Sequence, residues 1–167
     1  MIKRKITIDG DVAYIPLTKG YTAIIDTCDL HIVEGMNWQS FVTFKSDGTI
    51  RTVYAVLSNG GEFMHRLIMS ASYGVKVDHK DGNGLDCRRS NMRLADSSQN
   101  SRNMKTPSHN TSGHKGVYWH KPSSKWRSFI NVNNKQISLG YFSKIEDAIA
   151  AYADASMKYH GEFGRTK

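Results

Sequence analysis

The sequence has few cysteines and no long apolar run. Its 167 residues include two cysteines, Cys28 and Cys87, which lie 59 positions apart and form no Cys-x-x-Cys pair. This argues against a disulfide framework and against a four-cysteine zinc site, and it predicts a reducing, cytoplasmic setting. No segment approaches the roughly 18 apolar residues of a membrane helix, and no apolar core follows the basic amino terminus. We therefore expect neither a membrane anchor nor a secretion signal.

Acidic residues are missing from one long stretch. Between Asp96 and Glu146 there is no carboxylate in 49 residues, whereas eight lysines and arginines occur there. The whole chain carries a formal charge of +8, and residues 112–167 contribute +5 of it. A block of one sign repels itself unless a polyanion compensates it. Because aromatic residues are interleaved with the basic ones, the pattern favours nucleic acid as the partner over a basic surface that serves solubility or an anionic membrane.

Changes in pattern divide the chain into four parts, and together they predict an α+β protein. Residues 1–60 read as short strands and form a β-rich platform. Residues 61–105 read as a compact ββα unit, with a helix over Phe63–Tyr73, strands over Val75–His79 and Ser90–Leu94, and a helix ending at Asn103. Residues 106–112 are a polar linker.

Residues 113–167 predict three antiparallel strands packed against one amphipathic helix. Asn133 and Asn134 join the last two strands as a tight hairpin turn. Ser143 and Glu146 have the spacing of a capping box, and the apolar residues behind them follow the 3,4 spacing of a single helical face.

The ββα unit contains the residue types that phosphodiester hydrolysis needs. Asp78 and Asn100 offer hard oxygen ligands suited to Mg²⁺ or Mn²⁺, and a neutral His79 can take a proton near pH 7. Because neighbours on a strand point to opposite faces, Asp78 and His79 can serve one centre only if the strand bends or ends there. From spacing alone, catalysis and a structural histidine in a small core are evenly balanced.

The wider pattern is more specific. Met64–Ile68, Val77–Asp86, Ser90–Ala95 and Gln99–Asn103 together resemble the HNH endonucleases, particularly the phage and intron homing type. The resemblance implies a ββα-metal fold that cleaves DNA. It implies that Asp78 is a metal ligand, that His79 is the general base and that Asn91 braces the turn. Asn100 stands at the last motif position as the second metal ligand, where many members have histidine, which makes this an H-N-N variant.

Three neighbours allow structural or functional interpretations. Arg93 holds the scissile phosphate or faces solvent on the return strand, and the sequence favours neither. His65 is a structural residue or a phosphate contact rather than a ligand. Cys87 is expected to be a small buried residue.

The carboxy-terminal part resembles the ethylene-response-factor (Apetala-two-type) DNA-binding domain. The resemblance rests on Gly116-Val117, Trp119, Leu139-Gly140-Tyr141-Phe142 and an alanine-rich helix with Tyr152. It implies that the sheet, rather than the helix, contacts DNA. Strand alternation then nominates Tyr118, His120, Lys125, Arg127 and Phe129, with Trp126 on the opposite face. Lys115, Lys121 and Lys135 complete the expected DNA contacts.

Two functions follow from the sequence. The first is a metal-dependent DNA endonuclease that acts on double-stranded DNA with Mg²⁺ or Mn²⁺, without an organic cofactor. One motif gives one metal centre, so a monomer is expected to nick one strand, and cutting both requires a homodimer on DNA or a second encounter. The alternative is a non-catalytic DNA-binding regulator. The presence of Asp78, His79, Asn91 and Asn100 together favours the endonuclease.

Overall fold

The computed structural model describes residues 4–103, 106, 110–164 and 166. The predicted linker 106–112 lies partly outside these residues. The chain forms an α+β structure of several small sheets and short helices, as expected. It divides into two compact units, Met1–Ser97 and Ser98–Lys167.

The first unit begins with an antiparallel three-stranded sheet. Its strands are β1 (Thr7–Asp9), β2 (Val12–Pro16) and β3 (Thr22–Asp26), in the order β1-β2-β3. Alternate residues of β2 and β3 are fully buried, because one face of this sheet covers the core. A short helix, α1 (Leu30–Val33), follows.

A hairpin and a second short helix continue the unit. The hairpin pairs β4 (Trp38–Phe44) with β5 (Ile50–Leu57), and α2 spans Met64–Ile68. The predicted helix over Phe63–Tyr73 is too long, because Ser70 has a positive φ of 48°. The Arg66 guanidinium instead donates to the carbonyls of Ala71, Ser72 and Val75, which stabilises a non-helical chain reversal.

The last elements of the first unit form a β-hairpin. Strand β6 (Lys76–His79) pairs antiparallel with β7 (Met92–Ala95), and the connection between them lies against β3. The Ile24 amide donates to the Leu85 carbonyl, and the Cys87 amide donates to the Ile24 carbonyl, both at 2.8 Å. One hydrophobic core runs from Ala13 to Met92, so residues 1–60 and the ββ hairpin share a single core.

The second unit begins with α3 (Ser97–Asn103, whose first residue belongs to the first unit) and continues into a three-stranded sheet. Strands β8 (Val117–His120), β9 (Lys125–Val132) and β10 (Lys135–Phe142) are antiparallel in the order β10-β9-β8. Asn133 and Asn134 both have positive φ and form the predicted two-residue turn.

Helix α4 (Ile145–His160) covers one face of this sheet. Ala148, Tyr152 and Ala155 pack there against Val117 and Ile130. The predicted capping box is wrong: the N-cap is Lys144, and its side chain makes no capping hydrogen bond. Glu146 and Asp147 in the first turn instead place negative charge at the positive end of the helix. No helix in the described part of the chain is long and apolar enough to span a membrane.

Candidate nuclease site and nucleic-acid interface

Asp78 and His79 lie at the end of β6, where the strand passes into a turn. Both are buried, with exposed fractions of 5% and 6%. Asp78 is paired with Arg93 across the hairpin, and His79 with Met92. Their side chains therefore leave the strand on opposite faces. The strand ends at His79, but both residues still lie within paired β6, so the end of the strand does not by itself bring their side chains to one face.

His79 is held in an aromatic cluster. The His65 ring packs edge-to-face against it at 5.2 Å between centroids, and the Tyr54 ring lies at 5.9 Å. Phe63 stacks on His65 at 5.4 Å. These contacts fix the position of the His79 ring from β5 and α2, two elements that are distant in sequence.

The cluster determines the protonation state of His79. Burial lowers the pKa of His79 below its usual value, although the carboxylates of Asp81, Asp78 and Asp86 act in the opposite direction. The imidazole is therefore neutral near pH 7 and can accept a proton.

Asn91 ties together the turn that follows His79. Its Nδ2 donates to Asp81 Oδ1 and to the Asp86 carbonyl, each at 2.9 Å, and its Oδ1 accepts from the Asp81 amide. Within the same turn, a Cβ on Gly84 would lie 2.5 Å from the Tyr54 ring and from the Val53 carbonyl oxygen. The turn is thus fixed both by Asn91 and by close packing against β5.

Arg93 forms a buried ion pair with Asp78. Its Nε donates to Asp78 Oδ2 at 2.9 Å, and its Nη2 lies 2.8 Å from the same oxygen. The interpretation that Arg93 faces solvent on the return strand is wrong, because its side chain is 10% exposed.

Asn100 lies in the middle of α3 and is partly buried. It falls in the second compact unit, beyond the division after Ser97. Its role as the second metal ligand therefore stays a prediction.

In the second unit, the sheet face opposite α4 carries a mixed aromatic and basic surface. The Tyr118 and Phe129 rings stack at 5.4 Å with an interplanar angle of 11°. The Arg127 guanidinium lies 5.2 Å from the centre of the Phe129 ring, and its Nη2 donates to Gln136 Oε1. We call this surface the outer face, and its members are Tyr118, His120, Lys125, Arg127, Phe129, Gln136 and Tyr141.

The outer face brings together five of the predicted DNA contacts but not the three remaining lysines. Trp126 packs toward α4 on the opposite side, as alternation requires. Lys135 is paired with Val132, whose side chain also packs toward α4, so Lys135 lies at the hairpin end outside the outer face. Lys121 lies in the turn between β8 and β9, and Lys115 precedes β8.

Tyr141 is an outer-face residue that sequence reasoning missed. Its ring packs against His120 at 5.0 Å. Gln136 and Tyr141 are five positions apart, so in a regular strand they would face opposite sides. Because the register of β10 shifts between Ser138 and Gly140, they face the same side. Gly140, with a φ of 130°, is the one sequence signal of this bulge.

Two comparisons with known proteins match the sequence of this chain. Protein 3.8 of Escherichia phage T7 is 39% identical to the chain over 92 residues, which are 55% of the chain and 75% of the phage protein. The HNH endonuclease family model matches residues 62–102. The chain belongs to the family of Protein 3.8 and carries an HNH endonuclease domain. No solved structure matches the chain.

The donor atoms of the HNH domain fit a hard divalent cation better than a soft one. Asp78 supplies a buried carboxylate, which is a ligand that Mg²⁺ and Mn²⁺ prefer. Burial raises the pKa of the nearby Cys87 thiol to about 12, so no thiolate is available from that residue. Within the described residues, no group of three His, Cys, Asp or Glu side chains could hold a metal ion.

His65 makes the stability of the HNH domain depend on pH. Burial, and secondarily the charge on His79, lowers its pKa from 6.5 to about 3, and its Nδ1 has no hydrogen-bond partner in the part of the chain described. Below pH 6.5 His65 is protonated in the unfolded chain, whereas in the folded chain it stays neutral down to about pH 3. Stability is therefore lost as the pH falls from 6.5 toward 3. We expect the free energy of unfolding to fall by about 2 kcal/mol between pH 7 and pH 5 because of this residue.

Urea unfolding at the two pH values measures this loss. His65→Phe keeps the aromatic packing and removes the titrating group, so its stability should fall less than that of the wild type. The exposed His31, replaced by phenylalanine, is the control and should leave the pH dependence unchanged. Parallel losses in wild type and His65→Phe would contradict the assignment.

Proposed function

We propose that the chain is a metal-dependent DNA endonuclease of the homing and phage HNH type, which nicks one strand per event as a monomer. The observation that carries the proposal is that a buried carboxylate and a neutral, ring-packed imidazole occupy successive positions at the end of β6, within the segment that matches the HNH family. The phage relative supports a host cytoplasm as the place of action.

The residues of the chain take distinct roles in this proposal. His79 accepts a proton from the attacking water, because burial keeps its imidazole neutral. Asn91 holds the turn after His79 and thereby the direction of the ring. Asp78 and Asn100 would hold Mg²⁺ or Mn²⁺, which when bound stabilises the charge that develops on the phosphate and on the leaving 3′ oxygen. The products would be a 5′ phosphate and a 3′ hydroxyl.

We further propose that the second unit binds DNA through its outer face, in the manner of an Apetala-two-type domain. Three features support this: a three-stranded antiparallel sheet, a helix on its other side, and cationic and aromatic side chains together on the exposed face. A β-sheet of this size can enter the major groove. The individual base and phosphate contacts belong to this proposal.

Conversion of supercoiled plasmid tests the nuclease proposal. The full chain is incubated with Mg²⁺, with Mn²⁺ and with EDTA, on plasmids that carry DNA from candidate host genomes. We expect open-circular product with either metal ion and none with EDTA. A gel shift on the same DNA separates the alternative function: binding without cutting in any metal would favour the non-catalytic regulator.

Replacing outer-face cations tests the DNA-binding proposal. A side chain that contacts phosphate releases counterions when it binds, so Lys125→Ala and Arg127→Ala should each reduce the salt slope of binding by about 1. Lys158 lies on α4 in the same unit and is the matched control, whose replacement by alanine should leave the slope unchanged. Equal slopes in all four proteins would exclude the outer face as the DNA contact.

A further inference from the structure

The backbone register of the β6–β7 hairpin places a cation opposite a candidate metal ligand. Asp78 and Arg93 are directly paired across the two strands. Directly paired residues of antiparallel strands project from the same face, with Cβ atoms about 4.5–5.5 Å apart. The contact between them is therefore set by strand pairing and does not depend on two long side chains meeting at the surface.

The pair is buried on both sides. The side chains of Arg93 and Asp78 are 10% and 6% exposed. In the Arg88–Asp86 and Arg89–Asp29 pairs the arginine is 39% and 51% exposed, and in the Arg66–Glu62 pair the glutamate is 46% exposed. A carboxylate that is removed from water needs a compensating charge, because its ionised form is otherwise strongly disfavoured. Arg93 provides that charge from within the fold.

A divalent cation at Asp78 would meet this guanidinium. The Arg93 nitrogens lie within 2.9 Å of Asp78 Oδ2, so an ion bound to the same carboxylate would experience strong repulsion from Arg93 or would displace it. Either cation neutralises the negative charge of the Asp78 carboxylate. Binding of the divalent ion therefore weakens the Arg93–Asp78 ion pair, and the ion pair weakens binding of the divalent ion.

We propose that Arg93 is an internal counter-cation of the metal site, which positions and neutralises Asp78 in the metal-free protein and competes with the divalent ion for it. The proposal rests on the proposed function, in which Asp78 is a metal ligand. It makes Arg93 a positioning residue, and it sets the metal affinity of the site below that of the carboxylate alone. It also makes the guanidinium available to a DNA phosphate only when the ion has taken its place.

The test measures Mn²⁺ binding directly, without DNA and without activity. Mn²⁺ is titrated into the full chain, and the free ion is followed by its electron paramagnetic resonance signal. We expect Arg93→Gln to bind Mn²⁺ about tenfold more tightly than the wild type, because the competing charge is gone. Asp78→Asn should lose this binding. Arg88→Gln removes an arginine from another pair with a buried aspartate and should bind Mn²⁺ as the wild type does.

Thermal unfolding provides a second readout on the same proteins. Arg93→Gln leaves the Asp78 carboxylate without its partner, so its unfolding temperature without metal should be several degrees lower than that of the wild type. Mn²⁺ should raise this temperature more in Arg93→Gln than in the wild type, since the ion then restores the missing charge. If Arg93→Gln does not fold without metal, Arg93→Lys replaces it in the titration. A lysine makes fewer bonds to the carboxylate, so Arg93→Lys should bind Mn²⁺ a few-fold more tightly than the wild type.

The outcomes separate this inference from the proposed function. Equal or weaker Mn²⁺ binding by Arg93→Gln, or by Arg93→Lys in its place, would overturn the competition between the two cations and would assign to Arg93 a purely orienting role. Undiminished Mn²⁺ binding by Asp78→Asn would also overturn it, since the ion would then bind elsewhere. The proposed function fails by a different result, namely the absence of metal-dependent nicking by the wild-type chain on DNA that it binds.

Discussion

Replacing His79 by alanine is expected to slow DNA nicking by about 10²–10⁴-fold, with DNA affinity unchanged. The reason is that the proposal assigns the general base to the neutral imidazole of His79, whereas it assigns DNA affinity to the basic outer face of the other unit. The measurement is the single-turnover rate of plasmid nicking at saturating protein, together with a gel shift on the same DNA.

Controls separate the chemistry of His79 from its packing. The His79 ring contacts those of Tyr54 and His65, so alanine also leaves a void. His79→Gln keeps polar bulk at this position and should be nearly as slow as His79→Ala, with a smaller loss of unfolding temperature. His31→Ala removes an exposed histidine from the same unit and should nick at the wild-type rate. Nicking by both His79 variants at the wild-type rate would refute the assignment of the base.

Loss of Arg89 should produce the largest change in stability. Arg89 Nε and Nη2 donate to the Asp29 carboxylate at 2.8–3.1 Å, Nη2 also donates to the Ile68 carbonyl, and the Arg89 amide donates to Asp26 Oδ2. Asp29 is 2% exposed. Arg89→Ala leaves this carboxylate without its counter-charge, but water can replace the half-exposed guanidinium, so we expect the free energy of unfolding to fall by about 2–3 kcal/mol.

Urea unfolding monitored by tryptophan fluorescence measures this change, because Trp38 lies in the core of the same unit. Arg51 is exposed on β5, and Arg51→Ala should alter the free energy of unfolding by less than about 0.5 kcal/mol. The double variant Arg89→Ala, Asp29→Asn should recover part of the loss, since it removes the uncompensated charge. A loss in Arg89→Ala no larger than in Arg51→Ala would show that the pair does not stabilise the unit.

Sequence predicts the elements of this protein whose signals lie within a few residues, such as turn residues and strand alternation. The Asn133-Asn134 turn, the strands around it and the common face of Tyr118, Arg127 and Phe129 follow from turn chemistry and alternation. The same alternation fails at Tyr141, because a bulge at Gly140 changes the parity of β10. The helix after Phe63 ends early because Arg66 binds carbonyls that lie five to nine residues further along the chain.

The candidate site shows a similar limit. The HNH pattern nominated Asp78, His79 and Asn91 and includes His65, but the Tyr54 ring that also packs on His79 comes from β5, outside the pattern. The Arg93–Asp78 pair depends on the exact register of the β6–β7 hairpin, which the sequence pattern did not determine. Sequence therefore nominates candidate residues for the chemistry, whereas the electrostatic partners of those residues become visible only in the tertiary structure.

The hydrogen bonds between β3 and the turn after His79 bear on how such a domain can be inherited. Ile24 bonds to the chain at both Leu85 and Cys87, and the core beneath them includes side chains from both sides of residue 60. The HNH segment 62–102 is thus recognisable as a sequence, but the core against which it packs includes side chains from residues before 60. Transfer of that segment alone into another protein would expose Met64, Ile68 and Met92 to water. Exchange of the HNH domain between proteins would therefore have to include the first sixty residues, whereas the sheet and helix of residues 113–167 pack around a core of their own.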